Sequence, residues 1–304
     1  MCIRDRSDTD TFVDTSPPSA RAALPWESQG QVFCERTFEP VSYTHLDVYK
    51  RQLRLIFTAC HPVLAVEGRI ALTLRLLGAL TTAEIARAFL VPEKTLGQRI
   101  SRAKKTLSEA HVPFETPSGD ELRRRVESVL MVVYLIFNEG YTATSGDEWM
   151  RAALSEEALR LGRMLGQLLP GESEVHSLVA LMELQASRNA ARRGKNGEAV
   201  LLPDQDRSLW DYAQIQRGMT ALEQAQRLGG GAKPYALQAA IAACHMRACT
   251  AEETDWDRIV LLYDALLQIN PSPIVALNRA VAVGMVQGPA AGTRRTRRSR
   301  HPRR

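Results

Sequence analysis

The chain has 304 residues, 45% of them hydrophobic and 6% aromatic, which fits packed globular domains and excludes a largely disordered chain. The formal net charge is +5, but seven arginines lie in the last twelve residues, 293–304, and without them the charge is −2. A surface that binds nucleic acid must therefore be local. The sequence shows no apolar run of roughly 18 residues and no signal-peptide pattern. We therefore do not expect a membrane-spanning protein.

The five cysteines lie at positions 2, 34, 60, 244 and 249. Their odd number and irregular spacing argue against a disulfide framework and predict a protein of the reducing cytoplasm. Two of them form the pairs Cys60-His61 and Cys244-His245. Neither pair has the four-ligand spacing of a zinc site, so we expect no metal and no cofactor.

The two ends of the chain differ from the rest. Residues 1–52 are rich in Thr, Ser, Pro and Asp and show no sustained helical periodicity. MCIRDR at the start and VSYTHLDVYKRQ at 41–52 resemble translated sequencing-adapter sequence, and the tail 293–304 resembles a frame-shifted or vector-derived continuation. We expect a disordered or non-native leader and a non-native tail, the alternative being a natural leader and a natural basic tail.

From Leu53 onward the pattern predicts an all-α fold. Leu53–Leu64 and Glu67–Leu80 carry apolar residues at three- and four-residue steps, and a helical hairpin follows at 81–107. Gly and Pro then delimit seven further helices, at about 121–137, 149–168, 172–193, 208–228, 233–248, 254–269 and 273–287.

A weak internal repeat lies in the second half of the chain. RMLGQLLPGESEVHSLVALM (163–182) resembles YDALLQINPSPIVALNRAVA (263–282), and each is a helix, a proline and a second apolar helix. The two prolines, Pro170 and Pro271, are separated by close to three periods of about 34 residues. This spacing favours stacked, tetratricopeptide-like helical pairs with a concave surface for a partner, and a plain helical bundle is the alternative.

The hairpin at 81–107 has the features of a helix-turn-helix. Thr81 and Glu84 form the pattern of a capping box at the start of its first helix. Pro92 suits the first position of the second helix, where its missing N–H costs nothing. Because the connection at Leu90-Val91 is so short, the two helices are expected to cross steeply.

The second helix separates apolar from basic residues. Leu96, Ile100, Ala103 and Leu107 recur at helical spacing and predict the buried stripe. The other side has the chemistry of a recognition helix, with base-edge candidates near its start and cations for phosphates. The candidate DNA contacts are Lys94, Thr95, Gln98, Arg99, Arg102, Lys104 and Lys105. A solvated basic face is the alternative.

This hairpin resembles region 4 of the bacterial sigma-70 family, the module that reads the −35 promoter element. PEKTLGQRISRAK at 92–104 is similar to the recognition helix of that region, and residues 65–80 resemble its two preceding helices. The resemblance implies that promoter DNA and core RNA polymerase are partners of the chain and that it acts in transcription initiation.

Further segments resemble extracytoplasmic-function sigma factors that carry a tetratricopeptide-like C-terminal extension. They are LRLIFTACHPVL (53–64), LIFNEGYTAT (135–144), LLPDQDRSLWD (201–211) and PYALQAAIAACH (234–245). The expected organisation is a leader at 1–52, a region 4-like domain at 53–112, a helical extension at 113–292 and the tail. Residues 1–52 do not resemble the region 2 that melts the −10 element, so we expect a truncated gene product.

The extension offers two candidate regulatory segments, Asn138-Glu139-Gly140-Tyr141 and Asp204-Gln205-Asp206-Arg207. The structural alternatives are a helix end with Gly140 in the left-handed conformation and a capping loop before a helix. The functional alternative is a surface that binds a ligand, a second protein or the DNA-binding module. The sequence assembles no nucleophile, base and oxyanion donors and contains no Gly-rich phosphate loop, so we do not expect an enzyme.

Overall fold

The computed structural model of the protein describes residues 42–78, 80–141, 148–194 and 198–288, without the side chains of 42–49 and 148–152. The helices are α1 (Ser42–Ala59), α2 (Val66–Leu76), α3 (Thr82–Ala88), α4 (Glu93–Glu109), α5 (Gly119–Tyr141), α6 (Glu148–Leu168), α7 (Ser173–Ala186), α8 (Tyr212–Arg227), α9 (Pro234–Arg247), α10 (Trp256–Ile269) and α11 (Pro273–Gln287). Within the described residues, the pairing of extended backbone is limited to one isolated bridge, between Arg193 and Ala199. The predicted all-α fold is confirmed.

The first helix begins earlier than the sequence suggested. Helix α1 starts at Ser42, so residues 42–52 are helical rather than disordered. The expectation of a disordered or non-native leader at 1–52 otherwise stays a prediction. Tyr43, Leu46 and Tyr49 stand three residues apart, a helical spacing that continues into Leu53 and that the likeness to adapter sequence obscured. The remainder of the expected leader, 1–41, and the tail at 293–304 lie outside the described residues.

Three hydrophobic cores follow one another along the chain. The first contains buried side chains from α1 to α7, among them Phe57, Leu72 and Phe137. The second joins α7 to α8 and α9 around Leu184 and Trp210, and the third joins α9 to α10 and α11. Because α7 contributes to the first two cores and α9 to the last two, neighbouring layers share a helix.

Polar bonds attach α5 to the connection between α1 and α2. Ser128 donates from its hydroxyl to the carbonyl of Cys60 over 2.6 Å and accepts from Nη1 of Arg69 over 3.1 Å. Arg125 donates from Nη1 to the carbonyl of Phe57 over 3.3 Å and pairs with Glu121. These bonds satisfy carbonyls exposed by the end of α1, so α5 closes that helix end as well as covering its apolar face.

A buried carboxylate fixes α6 and α8 to α7. Glu183 of α7 is 1% exposed and accepts from Nε and Nη2 of Arg163 over 2.7 and 3.0 Å. Nε of Arg217, from α8, lies 3.6 Å from Oε2, the same oxygen that accepts from Nη2 of Arg163. Since an unpaired buried carboxylate would be strongly destabilising, these two arginines are required where Glu183 is present.

The seven helices predicted for the second half are present, with shifts at their ends. The expected helix 172–193 ends at Ala186 and gives way to a short 3₁₀ turn, Asn189–Arg192. The expected helix from 208 begins at Tyr212, after a 3₁₀ turn at Arg207–Leu209. Both proline connections, at Pro170 and Pro271, join packed helical pairs. The tetratricopeptide-like repeat itself stays a prediction.

The described residues all belong to one unit, Ser42–Arg304. The boundary expected after residue 112 lies in the connection between α4 and α5, and it stays a prediction. None of the described helices combines the length and apolar character needed to cross a membrane. In the same ranges, His, Cys, Asp and Glu side chains form no cluster of three that would hold a metal ion.

Candidate DNA-binding site

The start of α3 carries the predicted capping box. The amide of Glu84 donates to Oγ1 of Thr81 over 3.2 Å, and Oε2 of Glu84 accepts from the amide of Thr81 over 2.7 Å. The amide and the hydroxyl of Thr81 both donate to this carboxylate and hold the pKa of Glu84 below its usual value. The box satisfies two amides that a seven-residue helix could not otherwise bond, so this short helix has a fixed beginning.

The turn between α3 and α4 is a Schellman motif without glycine. The amide of Val91 donates to the carbonyl of Ala86 over 3.0 Å, and that of Leu90 to the carbonyl of Arg87 over 3.2 Å. Leu90 has the left-handed φ of 51° that this motif requires at its position, where glycine is usual. Leucine gives no sequence signal for this conformation, so it could not be predicted.

Helix α4 begins one residue later than predicted. Pro92 is the N-cap with φ −59°, and Glu93 is the first helical residue. The fixed φ of proline suits this position as well as the next, and it turns the chain directly from α3 into α4. The short connection 89–92 therefore produces the expected helix-turn-helix.

The apolar stripe of α4 packs as predicted. Leu96, Ile100 and Ala103 are buried, and Leu107 packs against the first core with part of its surface exposed. Ala103 lies over Gly68 of α2, where a Cβ on the glycine would be 3.3 Å from the Cβ of Ala103. This close approach fixes α4 on α2 and directs its opposite face outward.

The outward side of α4 carries the seven candidate DNA contacts. Lys94, Gln98, Arg102, Lys104 and Lys105 are exposed, and Thr95 and Arg99 are half-buried. Lys105 pairs with Glu109 at 3.6 Å, with both side chains mostly exposed. The other six make no side-chain hydrogen bond or ion pair within the described part of the chain. A face of unpaired cations is electrostatically suited to phosphates.

The seven side chains do not form a single strip. With 3.6 residues per turn, Lys94, Gln98, Arg102 and Lys105 share the centre of the exposed face. Thr95 and Arg99 lie on the edge towards α2, and Lys104 lies on the opposite edge. The structure thus separates Lys104 from the candidate base-reading residues.

Arg99 and Arg102 also line a groove beside α2. Its volume is about 290 Å³, and its opposite wall includes Glu67 and the connection after α1. Neither arginine comes within ion-pair distance of Glu67 in the described residues. Both guanidinium groups can therefore turn from the groove towards a duplex without breaking a salt bridge.

The helix-turn-helix and the helices before it match a known protein family. Residues 54–107 match the family described as Sigma-70, region 4. The chain contains a sigma-70 region 4 domain. This match supports a protein of the sigma-70 family with a DNA-binding role in transcription. Helices α1 to α4 supply the helices of the matched region.

Residues 125–226, behind the region 4 domain, match a family of unknown function, DUF6596. An uncharacterized protein of Rhizobium meliloti (strain 1021) is 48% identical over 239 residues, which are 79% of this chain and 56% of that protein. The chain thus spans little more than half the length of this relative. No solved structure matches the chain.

The first candidate regulatory segment, 138–141, forms the end of α5, but without the predicted glycine cap. Helix α5 continues through Gly140 to Tyr141, so the left-handed conformation expected for Gly140 is wrong. The carbonyl of Tyr141 accepts from Nη1 of Arg192 over 2.6 Å, and the Arg192 guanidinium lies 3.7 Å from the Tyr141 ring centre. The Arg192 side chain thus donates to a terminal carbonyl of α5, whereas a glycine-ended turn was expected to satisfy such carbonyls. Asn138 and Glu139 lie on the same last turns of α5.

The second candidate segment contains the predicted capping loop. Asp206 accepts from the amide of Ser208 over 2.9 Å, and Asp204 ends a 3₁₀ turn. Gln205 is buried and accepts from Nη1 of Arg188 over 3.4 Å. Arg188 also donates from Nη2 to the hydroxyl of Tyr141 over 2.8 Å. Arg188 therefore brings the two candidate segments together, a contact that their separation in sequence concealed.

Proposed function

We propose that the chain is a sigma-type transcription-initiation factor of the cytoplasm. Its region 4 domain would bind the −35 promoter element through α4 and would contact core RNA polymerase. The observation that carries the proposal is the outward face of α4, where Lys94, Gln98 and Arg102 have no side-chain partner among the described residues and lie opposite a buried stripe. A recognition helix needs this division of faces, because its outer side chains must be free for bases and phosphates.

The packing of the extension supports the same proposal. Helices α5 and α6 pack on α1, α2 and α3, whereas α4 packs mainly on α2 and α3. Arg160 of α6, for example, donates to the carbonyl of Leu77 over 2.6 Å. The extension thus supports the region 4 domain from behind. We propose that it controls the activity of that domain through a ligand or protein partner, with 138–141 and 204–207 as candidate regulatory segments.

A gel-shift assay with promoter DNA tests the DNA-binding part of this proposal. Arg99→Gln and Arg102→Gln remove charge from the groove-facing and central parts of the α4 face. We expect each variant to bind more weakly than the parent chain, since charged contacts to bases or phosphates contribute on the order of 1–3 kcal/mol each. Unchanged binding by both variants would exclude α4 as the recognition helix.

A second candidate function is a helix-turn-helix regulator that binds an operator without RNA polymerase. It is favoured by the short extent of the match, because region 4 accounts only for residues 54–107. A pull-down with core RNA polymerase separates the two functions, since a sigma-type factor must bind the core enzyme. Polymerase capture supports the sigma-type proposal, and DNA binding without capture supports the regulator. A helical adaptor, the third reading of the sequence, would bind neither.

A further inference from the structure

A cavity far along the chain from the helix-turn-helix has the size of a small-molecule site. It lies between the 202–207 segment, the connection before α10, and helices α10 and α11, and its volume is about 560 Å³. Ligand pockets are commonly a few hundred to about 1,000 Å³ and are mostly apolar with a few polar groups. The cavity fits both criteria.

Aromatic and aliphatic side chains form most of its wall. The imidazole of His245 packs edge-on against Trp256, with ring centres 5.2 Å apart, and Tyr263 also lines the cavity. Burial, with a smaller contribution from nearby arginines, lowers the pKa of His245 to about 4, and burial raises the pKa of Tyr263. Both rings are therefore uncharged near neutral pH. Three uncharged rings favour a planar, apolar ligand body.

Helix α11 supplies the open side of the cavity. Val281 and Met285 line it and are 57% and 53% exposed, although both are apolar. A bound apolar group would remove this surface from water at a gain of roughly 25 cal/mol for each Å² covered. The exposed pair thus gives an apolar ligand a wall that the described part of the chain leaves uncovered.

Arg207 supplies hydrogen-bond donors to the lining of the cavity. Its Nη1 donates to the carbonyls of His245 and Ala248, each over 2.8 Å, and its guanidinium lies 4.5 Å from the Trp210 ring centre. These contacts fix the group, while Nε and Nη2 make no hydrogen bond within the described ranges. A fixed guanidinium with spare donors is suited to an oxygen acceptor, above all a carboxylate.

Glu252 also lines the cavity and is the competing polar group. Its carboxylate is exposed, and hydrogen bonds from its own backbone and from Thr250 lower its pKa, with a smaller contribution from Arg207. It forms no ion pair with Arg207 within the described residues, so the donors of Arg207 are not consumed by it. A cationic ligand would select Glu252, and an acceptor would select Arg207.

We propose that this cavity binds a small molecule with a planar apolar body and one hydrogen-bond-accepting end, a carboxylate or a carbonyl, which Arg207 receives. The site uses Arg207 from the second candidate regulatory segment, together with His245, Trp256, Tyr263 and the α11 pair. It makes the extension a ligand-binding domain, independently of whether α4 reads DNA.

Three probes with the same ring and different ends test the proposal. Naphthoate, acetylnaphthalene and naphthylmethylammonium are titrated calorimetrically into the full chain without DNA. We expect the better of the two acceptor probes to bind at least about tenfold more tightly than the ammonium, because hydrogen bonds from a charged donor contribute on the order of 1.5–3 kcal/mol. The order of the two acceptors decides between carboxylate and carbonyl. Equal affinity of all three probes, tighter binding of the ammonium, or no binding would overturn the proposal.

A pair of tryptophan variants locates the site. Val281→Trp places a large ring at the cavity wall, and Ile274→Trp makes the same change on the same helix at a position that is 71% exposed and outside the cavity. Since both residues are mostly exposed, neither change disturbs a core. We expect at least a tenfold loss for Val281→Trp and unchanged affinity for Ile274→Trp. Equal effects of the two variants would refute the site, and Met285→Trp repeats the test if Val281→Trp unfolds. All these assays omit DNA and polymerase, so their failure is distinct from failure of promoter binding.

Discussion

Replacing Arg102 by Gln should change the salt dependence of DNA binding by an amount that the structure sets. Arg102 is exposed at the centre of the outward face of α4 and has no ion pair in the described ranges. With Lys94, Lys104 and Lys105 it makes four candidate phosphate contacts. Each contact releases counterions and adds about −0.9 to the slope of log affinity against log salt, so four predict a slope of about −3.6.

The slope gives the expected magnitude. Between 50 and 200 mM salt, a slope of about −3.6 weakens binding roughly 150-fold, whereas three contacts and a slope of about −2.7 weaken it roughly 40-fold. Fluorescence anisotropy of a labelled duplex over a salt series measures both values. Because phosphate contacts carry no sequence information, any duplex serves for this test.

Arg227→Gln is the matched control, because Arg227 is exposed on α8 and its loss changes the net charge equally. We expect this variant to retain the slope of the parent chain. An unchanged slope for Arg102→Gln would exclude a phosphate contact by Arg102. An equal reduction by both variants would show that binding follows net charge rather than the face of α4.

Three further predictions concern stability, each measured by chemical unfolding. Arg163→Ala should cost about 3–5 kcal/mol because it leaves the carboxylate of Glu183, which is 1% exposed, with Arg217 alone at 3.6 Å, whereas Glu109→Ala at an exposed pair should cost under about 1 kcal/mol, and similar losses would contradict this. Leu90→Gly should stabilise by roughly 0.5–1 kcal/mol, because relief of a left-handed leucine exceeds the entropy cost of glycine. Leu261→Gly, at an exposed position within α10, should instead destabilise, and a loss of stability in both variants would refute the strain at Leu90. Finally, burial lowers the pKa of His245 from 6.5 to about 4. Between these two pH values the unfolded state binds more protons than the folded state. The free energy of unfolding therefore falls as pH decreases through this range, by up to about 3 kcal/mol. His245→Asn should remove this part of the slope, and an unchanged slope would contradict it.

The sequence predicted those parts of the fold that depend on local pattern. The capping box at Thr81 and the buried stripe of α4 follow from spacing alone, and both are present. Gly and Pro likewise separated the later helices correctly, because these residues act through their own backbone preferences. The candidate DNA contacts followed from the same helical spacing, which also places Lys104 apart from Arg99.

Features that depend on distant contacts escaped the sequence analysis. Gly140 was expected to end α5, but Arg192 satisfies the terminal carbonyl from another part of the chain. The partners of Glu183 come from α6 and α8, and Arg188 joins two segments whose proximity only the fold creates. The cavity beside α11 was missed for the same reason, since its aromatic residues are far from Arg207 in sequence.

Selection of random duplex DNA by the full chain is the measurement that tests α4 as a sequence-reading helix most directly. We expect enrichment of a short motif by the parent chain and loss of preference at one base pair for Arg99→Ala or Gln98→Ala. Each lost bidentate contact should relax discrimination by on the order of 1–3 kcal/mol at that position. Enrichment of no motif, or of the same motif with the same preferences by both variants, would contradict it.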